Sequence, residues 1–362
     1  MKSQLTHLLA CMSCLSFAAG CADDGHEGPS TEAPFQELYV QRVDRYLGAF
    51  TPSSSQPIGG GVLVHSFMDQ EGGPLCYTGG QFDMITRDGS GDELMIFLQG
   101  GGLCHPDNCE ATEEWPLFIP PFGVLDPSSP ENPAAAFDVG YLPYCDGSMW
   151  TGDRDVDSDD AGENDRFFRG LQNLSAGLDV IAAAYPTPSR ILLIGNSAGG
   201  FGVHAALPLV RALYPDVAID AVNDSGMGIL SPGFMETVND YWGSGSSYPA
   251  SCADCIGEDG NLTGYHAWQL NEDPNLRMGF LSTTQDAVVA GALGGPTFEA
   301  ELLDAMAELD AAYGDRFGSL IAEGDGHTFV LRDFDRVVGG ISVAQWIRDL
   351  IAHAEVWESA RD

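Results

Sequence analysis

Lysine is nearly missing from this chain. Lys2 is the only one, and Lys and Arg together number 15 against 53 Asp and Glu, a formal charge of −38. A surface of that sign repels phosphate backbones and anionic lipid headgroups, which excludes nucleic acid as a partner and direct adsorption to an acidic membrane face. It also disfavours a polyanionic substrate and suits a soluble protein in a salty medium. No Gly-Lys-Ser/Thr follows any glycine-rich loop, so a nucleotide cradle is not expected. Past the N-terminus no long uncharged apolar run occurs, so no membrane span is expected there. Neither a second Cys-x-x-Cys nor a His-x-x-x-His accompanies Cys252 and Cys255. Zinc at that pair is therefore only the rival to a disulfide, and no metal or cofactor is expected. No internal repeat is visible.

The sequence does contain an export signature. Lys2 precedes a mostly apolar stretch, and Ala18-Ala19-Gly20 leads into Cys21. Small residues ending on cysteine resemble a bacterial lipoprotein signal with Cys21 as the lipidated residue; ordinary cleavage nearby is the alternative. Residues 1–21 are read as this signal, 22–34 as a disordered tether, and 35–362 as a single domain. The expected location is therefore outside the cytoplasm, either secreted or held at the outer membrane or cell surface by a lipid at Cys21. Outside the signal six cysteines remain, an even number that suggests three bridges in an exported chain. The close pairs Cys104/Cys109 and Cys252/Cys255 leave Cys76 for Cys145. Nothing in the sequence asks for a partner subunit, so a monomer is expected.

Apolar periodicity predicts a helix over 35–50, strands at 62–67, 82–86, 94–98 and 137–144, and a long helix over 167–185. Strands follow at 191–194, 218–222, 279–283 and 318–322, with helices at 297–313 and 341–357. Such alternation implies a mostly parallel sheet with helices on both faces. Two stretches break the pattern, 105–136 and 227–275. They are read either as walls of a pocket at the C-terminal edge of the sheet, Trp115 and Trp242 among their lining residues, or as plain surface packing.

The most informative run is Ile191-Leu192-Leu193-Ile194 followed by Gly195-Asn196-Ser197-Ala198-Gly199 and a helical pattern. Buried strand, sharp Gly-x-Ser-x-Gly turn and helix form the nucleophile elbow of α/β-hydrolases, in which the serine stands exposed above the sheet. The Ala198 amide at the helix N-terminus can then face an oxyanion. In this fold the acid and the histidine follow the serine in that order. His204 and His353 lie in helical patterns and His266 in an aromatic stretch. His327, in the loop Glu323-Gly324-Asp325-Gly326-His327, is the candidate base. Asp286, just past the strand before the histidine's own unit, is preferred as the acid over Asp224, which ends an earlier strand. Gln99-Gly100-Gly101-Gly102-Leu103 after strand 94–98 suits the other half of an oxyanion hole. Leu103 is also a candidate wall of the acyl pocket.

Several of these blocks resemble the pectin acetylesterase/Notum family. Leu98-Gln99-Gly100-Gly101-Gly102-Leu103-Cys104 is similar to its Leu-Glu-Gly-Gly-Gly-Trp-Cys. Tyr144-Cys145-Asp146-Gly147-Ser148-Met149-Trp150-Thr151-Gly152-Asp153 is similar to its Tyr-Cys-Asp-Gly-Ser-Ser-Phe-Thr-Gly-Asp, the most specific block. Gly195–Gly200 and Asp224-Ser225-Gly226 have counterparts too. The resemblance implies an α/β-hydrolase fold and metal-free ester hydrolysis by Ser197, Asp286 and His327, with the amides of Gly101, Gly102 and Ala198 as the oxyanion hole. It further implies an acylated carbohydrate or other ester as substrate, most simply an O-acetyl group on a polysaccharide. Longer acyl chains, or a non-catalytic binding protein on the same scaffold, are the alternatives. Gln99 stands where the family has glutamate, Leu103 where it has tryptophan, and Asn196 where it has a small residue.

Overall fold

The computed structural model describes residues 33–362 apart from 69, 114–116, 160 and 355–356. The signal, nearly all of the tether, Cys21 and Trp115 lie outside the described residues.

Ten strands form one sheet. In chain order they are β1 (Ser54–Gly59), β2 (Val62–Phe67), β3 (Phe82–Arg87), β4 (Leu94–Leu98), β5 (Asp138–Leu142), β6 (Ile191–Asn196), β7 (Ile219–Asp224), β8 (Leu276–Thr283), β9 (Phe317–Ala322) and β10 (Ala360–Arg361). In space they run β1-β2-β3-β5-β4-β6-β7-β8-β9-β10. The first three pair antiparallel, β3 meets β5 antiparallel, and every pair from β5 to β10 is parallel. β1 was not foreseen; its Ser-Ser-Gln-Pro-Ile-Gly run is mostly exposed and holds a proline, which only an edge strand tolerates.

Side chains alternate across the sheet because successive Cβ atoms in a strand point to opposite faces. Leu94, Ile96 and Leu98 join one core with Ile191 and Leu193, while Met95 and Phe97 join a second core with Leu192 and Ile194. The first core is roofed by α2 (Gly170–Ala184), α3 (Ala198–Leu213), α5 (Thr263–Glu272) and α6 (Phe298–Tyr313), with α4 (Phe234–Trp242) beside them. Among the described residues the second is roofed by one α-helix, α7 (Val343–Ile351), together with the 3-10 turn Gly123–Leu125 and loop chain that bury Ile119, Val124, Leu125, Phe329 and Val330. Both faces are covered, but one chiefly by loops. Of the 105–136 stretch only Ile119, Val124, Leu125, Asn132 and Ala134 are buried among the described residues; His105, Asn108 and Glu110 line one cavity and Phe118, Pro120 and Phe122 another.

Three boundaries differ from the sequence reading. The first helix, α1 (Gln36–Val40), stops after five residues because Arg42 adopts a left-handed backbone (φ 64°) and the chain continues as turns. α2 begins at Gly170, since Arg166–Phe168 instead pairs with Arg154–Val156 as a hairpin. α7 ends at Ile351, and its start is capped by the Ser342 hydroxyl, which accepts from the Gln345 amide at 3.2 Å.

The six cysteines pair as Cys76–Cys145, Cys104–Cys109 and Cys252–Cys255. With Cys252 and Cys255 bonded to each other, the zinc alternative loses its ligands. Among the described residues no helix is long and apolar enough to cross a membrane.

Candidate active site

The strand order reverses about β4. The chain leaves β4 for β5 on one side and returns through β6 on the other. The loops after β4 and β6 therefore open side by side, the place where such sheets bind ligands. Register brings Leu98 opposite Gly195, and Asn196 opposite Asp224. Ser197 follows with φ 55° and ψ −124°, a strained conformation for a residue with a side chain. Its amide donates to the Asp224 carbonyl at 2.7 Å. The two motif glycines are sterically required. A Cβ on Gly195 would lie 2.2 Å from the Gly199 carbonyl oxygen, and one on Gly199 would lie 2.0 Å from that of Leu98.

The glycine loop lies directly over the elbow. A Cβ on Gly100 would come within 2.7 Å of the Ser197 Cβ. The Gly101 carbonyl is held by the Thr112 amide at 2.7 Å, and among the described residues the amides of Gly101 and Gly102 donate to no acceptor. The Ala198 amide opens α3, where helical partners are absent by construction. Three donors thus stand free around the serine.

The Tyr144–Asp153 block underpins this loop. The Trp150 indole donates to the Gln99 carbonyl at 3.3 Å, and the Cys104 amide donates to the Gly147 carbonyl at 2.8 Å. Asp146 is fully buried and accepts from the amides of Ser148 and Trp150 and from the Ser148 hydroxyl. Burial pushes its carboxyl up to about 6. Trp242 belongs to this scaffold as well. It is buried, its indole donates to the Cys104 carbonyl at 2.7 Å, and it does not line the cavity. That corrects its reading as a pocket wall: the amphipathic α4 turns it inward.

Asp286 and His327 meet. His327 Nδ1 lies 2.9 and 2.8 Å from the two Asp286 carboxylate oxygens. Asp286 is wholly buried and also accepts from the amides of Val288 and Val289 at 3.0 and 2.9 Å. A carboxylate so held keeps a proton on the near ring nitrogen and leaves Nε2 as a base. Asp224 does different work. Its Oδ2 accepts from the amides of Phe329 and Val330 at 2.8 and 2.9 Å, and the Ser225 hydroxyl accepts from that of Thr328 at 3.2 Å. It pins the segment behind His327. Full burial raises its carboxyl to about 7, opposed chiefly by those two amides. Sequence reasoning saw Asp224 only as a rival acid; its role depends on contacts more than 100 residues apart. His204 and His266 pack against each other within the core, their rings tilted by 42° with centres 4.1 Å apart, and burial lowers both pKa values.

Two cavities flank the serine. The larger, about 620 Å³, is lined by Ser197, Ala198 and Gly102, then by apolar Leu103, Met149, Phe201, Phe234, Val289 and Leu293. Leu103 lines this cavity; Met149, Phe201 and the 288–293 segment were not anticipated, since each arrives from a separate part of the chain. The smaller, about 280 Å³, lies on the other side, against Gly100, Asn196 and Thr328.

The pectinacetylesterase family model matches residues 64–238. Palmitoleoyl-protein carboxylesterase notum1' of Xenopus laevis is 22% identical over 217 residues, 55% of this chain and 43% of that protein. Palmitoleoyl-protein carboxylesterase NOTUM of Drosophila melanogaster is 27% identical over 163 residues, 39% of this chain and 24% of that protein. The chain thus matches less than half the length of these curated relatives. The solved structure of the Wnt deacylase Notum from Drosophila superposes with a TM-score of 0.58 at 19% identity, covering 79% of this chain and 92% of that one, which shows a common fold. The matched segment, these relatives and the shared α/β-hydrolase-like architecture make the chain similar to the pectin acetylesterase/Notum family.

Proposed function

We propose that this protein is an exported serine carboxylesterase that cleaves O-acyl esters, held to a membrane through a lipid on Cys21. Ser197 Oγ attacks the ester carbonyl carbon while His327 Nε2 takes its proton. The amides of Gly101, Gly102 and Ala198 stabilise the tetrahedral oxyanion. The C–O bond then breaks, His327 returns the proton to the departing alcohol, and water releases the carboxylic acid from the acyl-enzyme by the same route. Asp286 orients the imidazole throughout. The observation that carries this reading is the contact between the Asp286 carboxylate and His327 Nδ1 in a chain whose serine stands on a strained elbow under an unoccupied set of amides.

The larger cavity supports an acyl group longer than acetyl. At about 620 Å³ and with mostly apolar walls it falls in the size range of pockets for whole small molecules, about 300–1,000 Å³. Each methylene buried there would contribute about 0.8 kcal/mol. A 4-nitrophenyl ester series should therefore show kcat/KM rising from acetate to octanoate. The second reading, deacetylation of a polysaccharide, is favoured by the pectinacetylesterase match over 64–238. A flat or falling series would select it, and absence of turnover on every ester would leave the non-catalytic alternative.

A further inference from the structure

Two consecutive residues with side chains are held left-handed beneath the site. Met149 has φ 53° and Trp150 φ 69°. Such a backbone suits glycine and is strained in other residues, so it persists only where the surroundings hold it. Two buried side chains do that here. Asp146 Oδ2 accepts from the Trp150 amide at 3.2 Å, from the Ser148 amide at 3.0 Å and from the Ser148 hydroxyl. The Tyr144 hydroxyl accepts from the Met149 amide at 2.9 Å. Neither Asp146 nor Tyr144 has a task in the proton transfers of ester hydrolysis.

What the strained pair supports gives it a purpose. Trp150 is wholly buried, its indole donates to the Gln99 carbonyl at the head of the glycine loop, and its ring lies against α3. The approach is so close that a Cβ on Gly202 of that helix would sit 2.2 Å from the indole Cδ1. The loop carries the amides of Gly101 and Gly102, and the helix opens with the amide of Ala198. The indole is therefore wedged between the two elements that bear the free amides. The same turn fastens the far end of the loop. The Gly147 carbonyl accepts from the Cys104 amide at 2.8 Å, and a Cβ on Gly147 would lie 2.7 Å from the Cys104 Sγ. We propose that Asp146 and Trp150 are positioning residues of the oxyanion hole: the carboxylate locks the 146–150 turn, and the indole sets the spacing between the Gly101 and Gly102 amides and the Ala198 amide. Neither touches substrate. Donors stabilise an oxyanion only when aimed at the place where its charge develops, and a displacement of about 1 Å costs about 10²-fold in rate. The proposal rests on the esterase reading.

The test uses the full chain, 4-nitrophenyl butyrate as substrate, and two inhibitors of equal chain length, a trifluoromethyl ketone and the matching methyl ketone. Ser197 Oγ adds to the carbonyl carbon of the first, its proton passes to His327, and the carbonyl oxygen becomes an oxyanion in the hole. The methyl ketone binds without that addition. Asp146→Ala should lower kcat/KM by about 10- to 10²-fold and weaken the trifluoromethyl ketone by the same factor, while the methyl ketone stays within about twofold. Asp146→Asn, whose amide oxygen can accept the same three hydrogen bonds, should restore both quantities to within about threefold of wild type. Trp150→Phe keeps a ring but removes the N–H, should lose about tenfold in both, and decides the matter if Asp146→Ala does not fold. Wild-type kcat/KM in a folded Asp146→Ala protein, or in Trp150→Phe where the alanine variant does not fold, overturns the proposal. Equal weakening of the two ketones overturns it as well, because a merely loosened site loses both. Wild-type protein that neither cleaves the ester nor binds the trifluoromethyl ketone overturns the esterase reading itself.

Discussion

The division of labour between two buried aspartates is the most informative feature at the residue scale. Asp286 touches the imidazole, and Asp224 touches only the backbone that carries it. Ser197→Ala should lower ester hydrolysis by at least about 10³-fold, since triad members act as a unit. Asp286→Asn should cost on the order of 10⁴-fold, through the wrong tautomer. Asp224→Asn should cost no more than about 10²-fold, the scale of a small misplacement. Steady-state kinetics on one ester ranks the three, and a reversal of the two aspartates would exchange their roles. Asp224 also predicts a pH dependence. Burial raises its carboxyl from 3.8 to about 7, so the folded state binds this proton more tightly than the unfolded chain does. Its contribution to stability is complete below about pH 4 and is lost as pH rises through about 7. Asp224→Asn should flatten the fall of Tm between those limits, measured by thermal denaturation across pH.

Among the elements, the contact between β4 and the start of α3 carries the site. The helix begins so close to the strand that a Gly199 Cβ would meet the Leu98 carbonyl at 2.0 Å, with backbone rather than a movable side chain in the way. Gly199→Ala should therefore destabilise by about 1–3 kcal/mol or more and impair activity, whereas Ala205→Gly, on the same helix, should lower Tm by about 1 kcal/mol's worth without touching the elbow. Circular dichroism melts with parallel activity assays separate the two. The elbow was legible in the sequence because strand, turn and helix are consecutive and each has its own local signature. The short first helix and the polar edge strand were not. Arg42 turns left-handed in its tertiary setting, and β1 is a strand only because β2 offers it an edge.

Across the whole molecule, three bridges fit an exported protein in an oxidising compartment. They do not contribute equally. Cys76–Cys145 spans 69 residues and ties the segment between β2 and β3 to the block beneath the glycine loop, while Cys252–Cys255 spans three. By loop entropy, removing the first should cost about 4 kcal/mol and the second about 2 kcal/mol. Denaturant midpoints of Cys76→Ala/Cys145→Ala and Cys252→Ala/Cys255→Ala double variants should fall in that order; equal losses would mean the long bridge acts mainly through native-state contacts.

What the sequence determined by itself was local or ordinal. It held the elbow, the glycine loop, the serine-acid-histidine order, the alternation that builds a parallel sheet and the close cysteine pairs, all written in neighbouring residues or in chain order. Only the tertiary structure decided the rest. It brought the loops after β4 and β6 together at the reversal of strand order, and turned Trp242 inward. It gave Asp224 to the backbone behind His327. Each of these joins residues distant in the chain, and which distant residues meet depends on how the two faces of the sheet are covered, one by helices and one mostly by loops. Side-chain periodicity states that a face is buried; it does not state what buries it.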